Sequence, residues 1–474
     1  MQTDAGDYRR KWFVMASVLF GSFMIPFDLR VVNAMLPTIA HTFEADFAIV
    51  QWVILALIFP VATLTVSISR ISDIFGKKPV YLAGFFLFSS GSFLCGMAPA
   101  IKWLIGFRII QGTGAAMTSA LGIAILTEAF PPNEHGKGLG LMVAAISAGS
   151  IAGPISGGIL TDFFSWRFIF FADTSIGITG MFMVMKFIAH AKPLKKPAFD
   201  YTGAALIFIS LLSLLLAMTF GQKAGFGNLV VLMFFTSFFL FFLIFVIVEF
   251  RTKDPVIDMK LFANNFLTIG VINALANFIG IGGFLFLIPF YLTNVLLFAP
   301  LETGLLLGIG PVAMAMSSPV SGLLSDRFGA RIITIISLFI LIVGYYTIST
   351  LSHETGIAGF IVRTVPLSIG IGVFMASDFS SITGAVPAEQ RGTAAALIPL
   401  INTNGHMIGT SVMSSLWAVL VSYYANGIVY AKVTVAPPVA QVSALQDIFL
   451  LMMFVNGLLL VLNIFSQISF NKHP

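Results

Sequence analysis

Long apolar runs separated by short polar stretches fill the whole chain. They lie near 12–35, 48–68, 79–99, 102–128, 138–160, 167–188, 202–220, 228–249, 266–294, 301–323, 331–350, 357–381, 392–423 and 447–468. A helix that crosses a bilayer needs about 20 mostly apolar residues. Each run therefore predicts one spanning helix, fourteen in all. The longest polar stretches, 189–200, 251–265 and 424–446, are too short for a soluble domain. A transmembrane β-barrel is excluded because its strands alternate apolar and polar residues, whereas these runs are apolar all round.

Composition agrees with the pattern. Of 474 residues, 58% are hydrophobic and 9% are charged. Ordinary soluble domains are about 45–50% apolar and about 25% charged, so a soluble enzyme is excluded. Intrinsic disorder is excluded as well, since it requires low hydrophobicity and high charge. Arg9, Arg10 and Lys11 precede the first run, as they do in a signal peptide. The run continues past Asp28 without a small-residue cleavage site, so it reads as a first span.

Basic residues orient the chain, because loops on the cytoplasmic side are enriched in Lys and Arg. Eighteen of the 25 fall in one set of loops, four in the opposite set and three inside spans. This predicts that both termini are cytoplasmic. The net charge of +5 then belongs to loops facing anionic lipid headgroups, and no nucleic-acid partner is expected. Cys95 is the only cysteine, so neither an intrachain disulfide nor a cysteine metal cluster can form. The patterns GxxxxGK[ST], HExxH and GxSxG are all absent. ATP-driven transport and hydrolase chemistry are disfavoured, and no cofactor or metal is expected.

The chain repeats internally. SDIFGKK at 72–78 returns as SDRFGAR at 325–331, an offset of 253. Arg108 and Arg363, each the first charge inside its span, stand 255 apart. Pro132-Asn133-Glu134 and Pro387-Ala388-Glu389 follow those spans at the same offset, and Gly149 and Gly153 pair with Gly405 and Gly409 at 256. The offset corresponds to eight spans. It predicts two six-helix halves, 1–190 and 263–474, with two inserted helices and their flanks at 191–262.

Several motifs now carry a resemblance. Ser69-Arg70-Ile71-Ser72-Asp73-Ile74-Phe75-Gly76-Lys77-Lys78 resembles a GxLaDrxGrk signature, with Ser69 in place of its first Gly. The second copy, Gly322 to Gly329, keeps that Gly. Arg108-Ile109-Ile110-Gln111-Gly112-Thr113-Gly114 matches RxxQGxG, and Gly149 to Gly158 matches GxxxGPxxGG in full. Asp28, Asn33 and Pro37 match LDxTIVNVALP, but Arg30 stands near where a small polar residue is usual. Trp166-Arg167-Phe168-Ile169-Phe170 fits WRWIF, while Asp173 and Ser175 replace the Asn and Pro that follow. Phe199-Asp200-Tyr201 and Asp254-Pro255 fit the middle region.

These residues resemble the major facilitator superfamily, in particular its fourteen-span drug:proton antiporter branch. The resemblance implies an all-α fold in which substrate binds between two halves near the midplane and access alternates. It assigns a conformational latch to the turn of Asp73, Gly76 and Lys77 and to its copy at Asp326 and Gly329. It assigns gating to the span-5 motif of Gly149, Gly153, Pro154, Gly157 and Gly158, and links Arg108 to proton coupling.

Charges inside spans are costly and therefore functional candidates. Asp28, Arg30, Arg108, Asp173 and Arg363 are expected at roughly one depth on four helices. Burial disfavours a charged carboxylate and a neighbouring guanidinium favours it. Asp28 is thus the foremost proton carrier, with Arg108 its partner and Asp173 a second carrier. A fixed Asp28–Arg108 pair that only holds helices together is the competing reading. Arg30, Asn33, Gln111, Arg363, Asn402 and His406 are the expected substrate-cavity residues, with Arg30 and Arg363 suited to an anionic or zwitterionic compound. Glu128 and Asp378 lie near cytoplasmic span ends, where side chains reach interfacial water.

The expectation is a monomeric, multi-pass transporter of the inner (plasma) membrane, not an enzyme, exporting small amphiphilic compounds such as drugs in exchange for protons. Its partners are substrate, protons and membrane lipids. The alternatives are a dedicated exporter or flippase of an anionic metabolite, siderophore or lipid, or a transport-dead receptor or membrane-embedded enzyme.

Overall fold

The computed structural model describes residues 11–131, 134–189, 200–252, 255, 257–426, 428 and 433–471. Fourteen of its helices are long and apolar enough to cross a membrane. They are α1 (Lys11–Thr42), α2 (Phe47–Phe75), α3 (Lys77–Gly96), α4 (Ile101–Ala129), α5 (His135–Phe163), α6 (Arg167–Phe187) and α7 (Tyr201–Ala224). They continue with α8 (Leu229–Arg251), α9 (Asn265–Val295), α10 (Pro300–Phe328), α11 (Ala330–Ser349), α12 (Ile357–Gly384), α13 (Arg391–Tyr424) and α14 (Pro438–Gln467). No strand occurs among the described residues. Each helix overlaps one predicted run. The basic residues Arg9, Arg10, Lys192, Lys195, Lys196, Lys253, Lys432 and Lys472 lie outside the described residues, as do Pro132, Asn133, Phe199 and Asp254.

The last span corrects the sequence reading, which left 424–446 as a polar stretch. α14 begins at Pro438, because proline is well suited to a first helical turn and Ala440, Val442, Ala444 and Leu445 give this segment a buried face.

The chain divides into two compact units. The first comprises 1–45, 52–208 and 300–305, and the second 46–51, 209–299 and 306–474. In the first unit, α5 lies on α1 through a glycine stripe. A Cβ on Gly153 would fall 2.9 Å from the Phe27 carbonyl, and one on Gly157 would fall 2.7 Å from Val31 Cγ2. Gly158, on a neighbouring face, would meet the Pro300 carbonyl at 2.7 Å. Small residues four apart allow backbones to approach this closely.

The second unit repeats that packing. Gly405 of α13 would meet Phe278 Cβ at 2.6 Å, and Gly409 lies against the Ile279 carbonyl of α9. α8 is different. It is apolar on all sides and mostly exposed, as expected of a helix facing lipid tails. One hydrogen bond, from Ser210 Oγ to the Phe238 carbonyl, joins it to α7.

Two turns set the α2–α3 and α10–α11 hairpins. Gly76 and Gly329 both have φ of +90°, a left-handed conformation that glycine adopts without a Cβ penalty. Each amide donates back to a serine carbonyl, Gly76 to Ser72 at 2.8 Å and Gly329 to Ser325 at 2.9 Å. The repeated SDxFG sequence is therefore a repeated turn.

Candidate functional site

The RxxQGxG glycines of α4 explain how a charge comes to be buried. A Cβ on Gly112 would fall 2.8 Å from Leu57 Cα of α2, and one on Gly114 would fall 2.9 Å from Phe88 Cα of α3. On α3, Gly91 leaves room for Gln111, whose Cα would lie 2.8 Å from a Cβ there. α4 is thus wedged against both neighbours. One turn before Gly112, Arg108 faces α2 and α1.

Arg108 is fully buried, yet almost fully engaged. Its Nε donates to the Val53 carbonyl at 2.9 Å. Its Nη1 donates to both oxygens of Asp28, at 2.7 and 2.8 Å, and to Gln111 Oε1 at 2.9 Å. Gln111 Nε2 closes the triangle by donating to Asp28 Oδ1 at 2.9 Å. The guanidinium carbon sits 5.7 Å from the Phe170 ring centre of α6. Nη2 has no hydrogen-bond partner among the described residues.

Asp173 of α6 completes the cluster. It is fully buried and near enough for the charges of Asp28 and Arg108 to act on it. Its carboxyl is within hydrogen-bonding reach of Asp28 and receives no N–H donor among the described residues. Two buried carboxyls thus share one guanidinium. Cys95 lies beside them, its Sγ 3.8 Å from Gln111 Oε1.

The other expected site residues have varied surroundings. Gln111, expected in the substrate cavity, has both ends of its amide engaged in the charge cluster. Arg30 is half-buried on α1; its Cβ is 2.8 Å from where a Cβ on Gly153 would lie. Its guanidinium has no hydrogen bond or ion pair among the described residues. Asn33 is buried, and neither end of its amide has a partner among the described residues.

In the second unit, Arg363 donates to Thr350 Oγ1 at 3.0 Å and to the Gly359 carbonyl at 3.1 Å. Asn402 Oδ1 has no partner among the described residues. His406 is half-buried on α13, with its carbonyl packed against Gly282.

The turn at Gly76 holds its two lysines. Lys77 pairs with Glu128 of α4, and Lys78 donates to the Met185 carbonyl at 3.0 Å. Asp73 is half-buried and Asp326 exposed. Glu128 does reach the surface, with a side chain 55% exposed. Asp378 does not. Contrary to expectation it is fully buried, because α9 covers this face of α12, with Gly270 allowing Ile382 to approach.

Fourteen spans, a twofold repeat and a carboxylate–guanidinium cluster buried among helices define a membrane transporter. More particularly, the chain belongs to the Major Facilitator Superfamily, whose family model matches residues 18–410. It is 31% identical over 418 residues to the riboflavin transporter RibZ of Clostridioides difficile, covering 88% of this chain and 90% of that protein. It is 28% identical over 415 residues to the multidrug resistance protein Stp of Mycobacterium tuberculosis, covering 87% and 77%. Among solved structures it is similar to an inward-facing, occupied bacterial homologue of the human lysosomal transporter Spinster. That likeness has a TM-score of 0.66 at 15% identity and covers 99% and 98% of the two chains. The protein is a transporter of small molecules, not an enzyme, and a multi-pass protein of the inner membrane.

Proposed function

We propose that the protein is a proton-coupled antiporter that exports small amphiphilic compounds. The observation that carries this reading is the buried cluster of Asp28, Arg108, Gln111 and Asp173. One guanidinium cannot balance two ionised carboxylates, and unbalanced charge within a membrane is costly. The cluster is neutral with one proton aboard. In this scheme the proton resides on Asp173 while Arg108 is bound to Asp28. Its transfer to Asp28 frees Arg108 to turn its unpartnered Nη2 toward Asp173. Moving one proton thus rearranges hydrogen bonds on α1, α2, α4 and α6, and this rearrangement couples protonation to helix movement.

Gating falls to the glycine contacts of α5 on α1 and to the two turns at Gly76 and Gly329, with Lys77–Glu128 as the pair that opens and closes. Arg30, with its unpaired guanidinium, and Asn33, with its unpartnered amide, are the substrate-binding groups on α1. The multidrug resistance name of the similar Stp protein supports a broad substrate range.

A second reading has its own support. RibZ matches over nearly its whole length and is named for riboflavin. The planar, electron-rich edge of a flavin suits a guanidinium fork such as that of Arg30.

Proteoliposomes loaded with ethidium or with riboflavin and subjected to an imposed pH gradient separate the two. Export of ethidium that is lost in Asp28→Asn, with normal expression and insertion, supports the first reading. Riboflavin movement without ethidium movement supports the second. Gradient-driven transport that persists unchanged in Asp28→Asn overturns the proton role of the cluster.

A further inference from the structure

A second buried carboxyl lies in the other unit, outside the cluster just described. Asp378 of α12 is fully buried, with the Asn273 amide of α9 as its hydrogen-bonding neighbour. It faces α9, where Gly270 provides the space: a Cβ there would lie 3.8 Å from Asp378 Oδ1. Its polar neighbour on α9 is Asn273, itself buried. Asn273 exchanges hydrogen bonds with Asn463 of α14, Nδ2 to Oδ1 in each direction, at 3.1 and 3.0 Å.

This asparagine pair forms one wall of a cavity of about 20 Å³, which Gly270 also lines. A polar space above about 10–15 Å³ holds a water molecule. Ser381, one turn from Asp378 on the same helix, and Thr334 of α11 add hydroxyls to the lining. Arg331 is the one ionisable side chain there, held 3.6 Å from the Phe266 ring centre. α9 and α14 bring no ionisable side chain to the cavity. The charged residues of the other helices packed on α12, Asp326 and Arg327 at the end of α10 and Arg391 at the start of α13, are all exposed. Among the described residues Asp378 has no ion pair, and its neighbours Gly270 and Asn273 line a space fit for water.

We infer that Asp378 is a second proton-carrying carboxyl, and that the cavity behind Asn273 and Asn463 is the water-sized chamber through which its proton exchanges. The step is a simple acid–base transfer: the O–H bond of the carboxyl breaks as a chamber water takes the proton, and the reverse step reloads it. Arg331 lines the same chamber. The inference rests on the reading of the protein as proton-coupled and adds one proton per transport cycle in a unit that has so far been assigned none.

The test uses the purified full chain in proteoliposomes. Infrared difference spectra between acidic and alkaline buffer show each titrating carboxyl as a protonated C=O band. Asp378→Asn, nearly isosteric, should remove one band and leave those of Asp28 and Asp173. It should also lower the protons exchanged per ethidium by one. Asn463→Leu keeps Asp378 but displaces the chamber's polar wall. It should retain the band and slow its hydrogen–deuterium exchange at least tenfold. If Asp378→Asn leaves every band and the stoichiometry intact, the inference is overturned. An unchanged exchange rate in Asn463→Leu overturns the chamber. Failure of Asp28→Asn to affect gradient-driven export is a separate result, which removes the coupling reading and leaves the Asp378 band to be scored by itself.

Discussion

Arg108 gives one nitrogen to both oxygens of Asp28 and leaves another nitrogen unpaired. That asymmetry is informative. A purely structural ion pair gains most from two parallel hydrogen bonds, whereas this one keeps a donor in reserve beside a carboxyl that receives no N–H donor among the described residues. Removing one member of a buried pair strands the other, at a cost of about 3–5 kcal/mol. Replacing both with apolar residues of similar size is far milder. Arg108→Met should therefore lower the unfolding temperature of the detergent-purified protein sharply, and Asp28→Leu combined with Arg108→Met should recover most of the loss. Equal loss in the single and double variants would mean that Asp28 is not what Arg108 stabilises. Transport separates the roles further, since the double variant should be stable yet inactive.

The glycine patterns act at the level of whole helices. GxxxGPxxGG was readable as a packing motif, but its partner was not, because spacing along one helix does not say which helix approaches. The structure assigns the stripe to α1. The same limit explains Gln111. Its place near Arg108 was legible, but its double hydrogen bond depends on Gly91 letting α3 come within contact of it. Arg363 was aligned with Arg108 by the repeat, yet its donors go to Gly359, one turn earlier on its own helix, and to Thr350, which only the turn between α11 and α12 brings within reach.

Substitution by alanine tests these contacts. Gly153→Ala would force a Cβ to 2.8 Å from Arg30 Cβ, and overpacking of this kind costs about 1–3 kcal/mol. Gly322 has open space around it, so Gly322→Ala should leave the melting temperature unchanged. Gly76→Ala and Gly329→Ala meet no neighbour at the second site, but both force a left-handed φ, which costs about 1–2 kcal/mol. If all four variants melt together with the wild type, neither close approach nor turn geometry limits stability.

At the scale of the whole molecule, hydropathy sufficed for the number and order of spans, since a bilayer demands apolar length whatever the side chains do next. Depth was read less well. Asp378 lies a turn and a half inside the end of α12 and is sealed, whereas Glu128 stands at the very end of α4 and is 55% exposed; a sequence-derived span end does not reveal how deep a neighbouring residue sits or what covers it. Orientation rests on the distribution of basic residues, and the protein offers a clean way to check it. Its single cysteine, Cys95, is fully buried inside α3, so the unmodified chain should be silent toward a membrane-impermeant maleimide. Lys102 and Lys260 are both exposed at helix starts, on opposite sides if the positive loops are cytoplasmic. Lys102→Cys should label in intact cells, and Lys260→Cys only after permeabilisation. The reverse pattern would invert the topology. Asp378 and its chamber lie toward the Lys260 end of the second unit, so the same inversion would move the proposed proton exchange to the outer face. Matching the labelled side with the side from which bulk pH shifts the Asp378 infrared band therefore checks topology and proton route together.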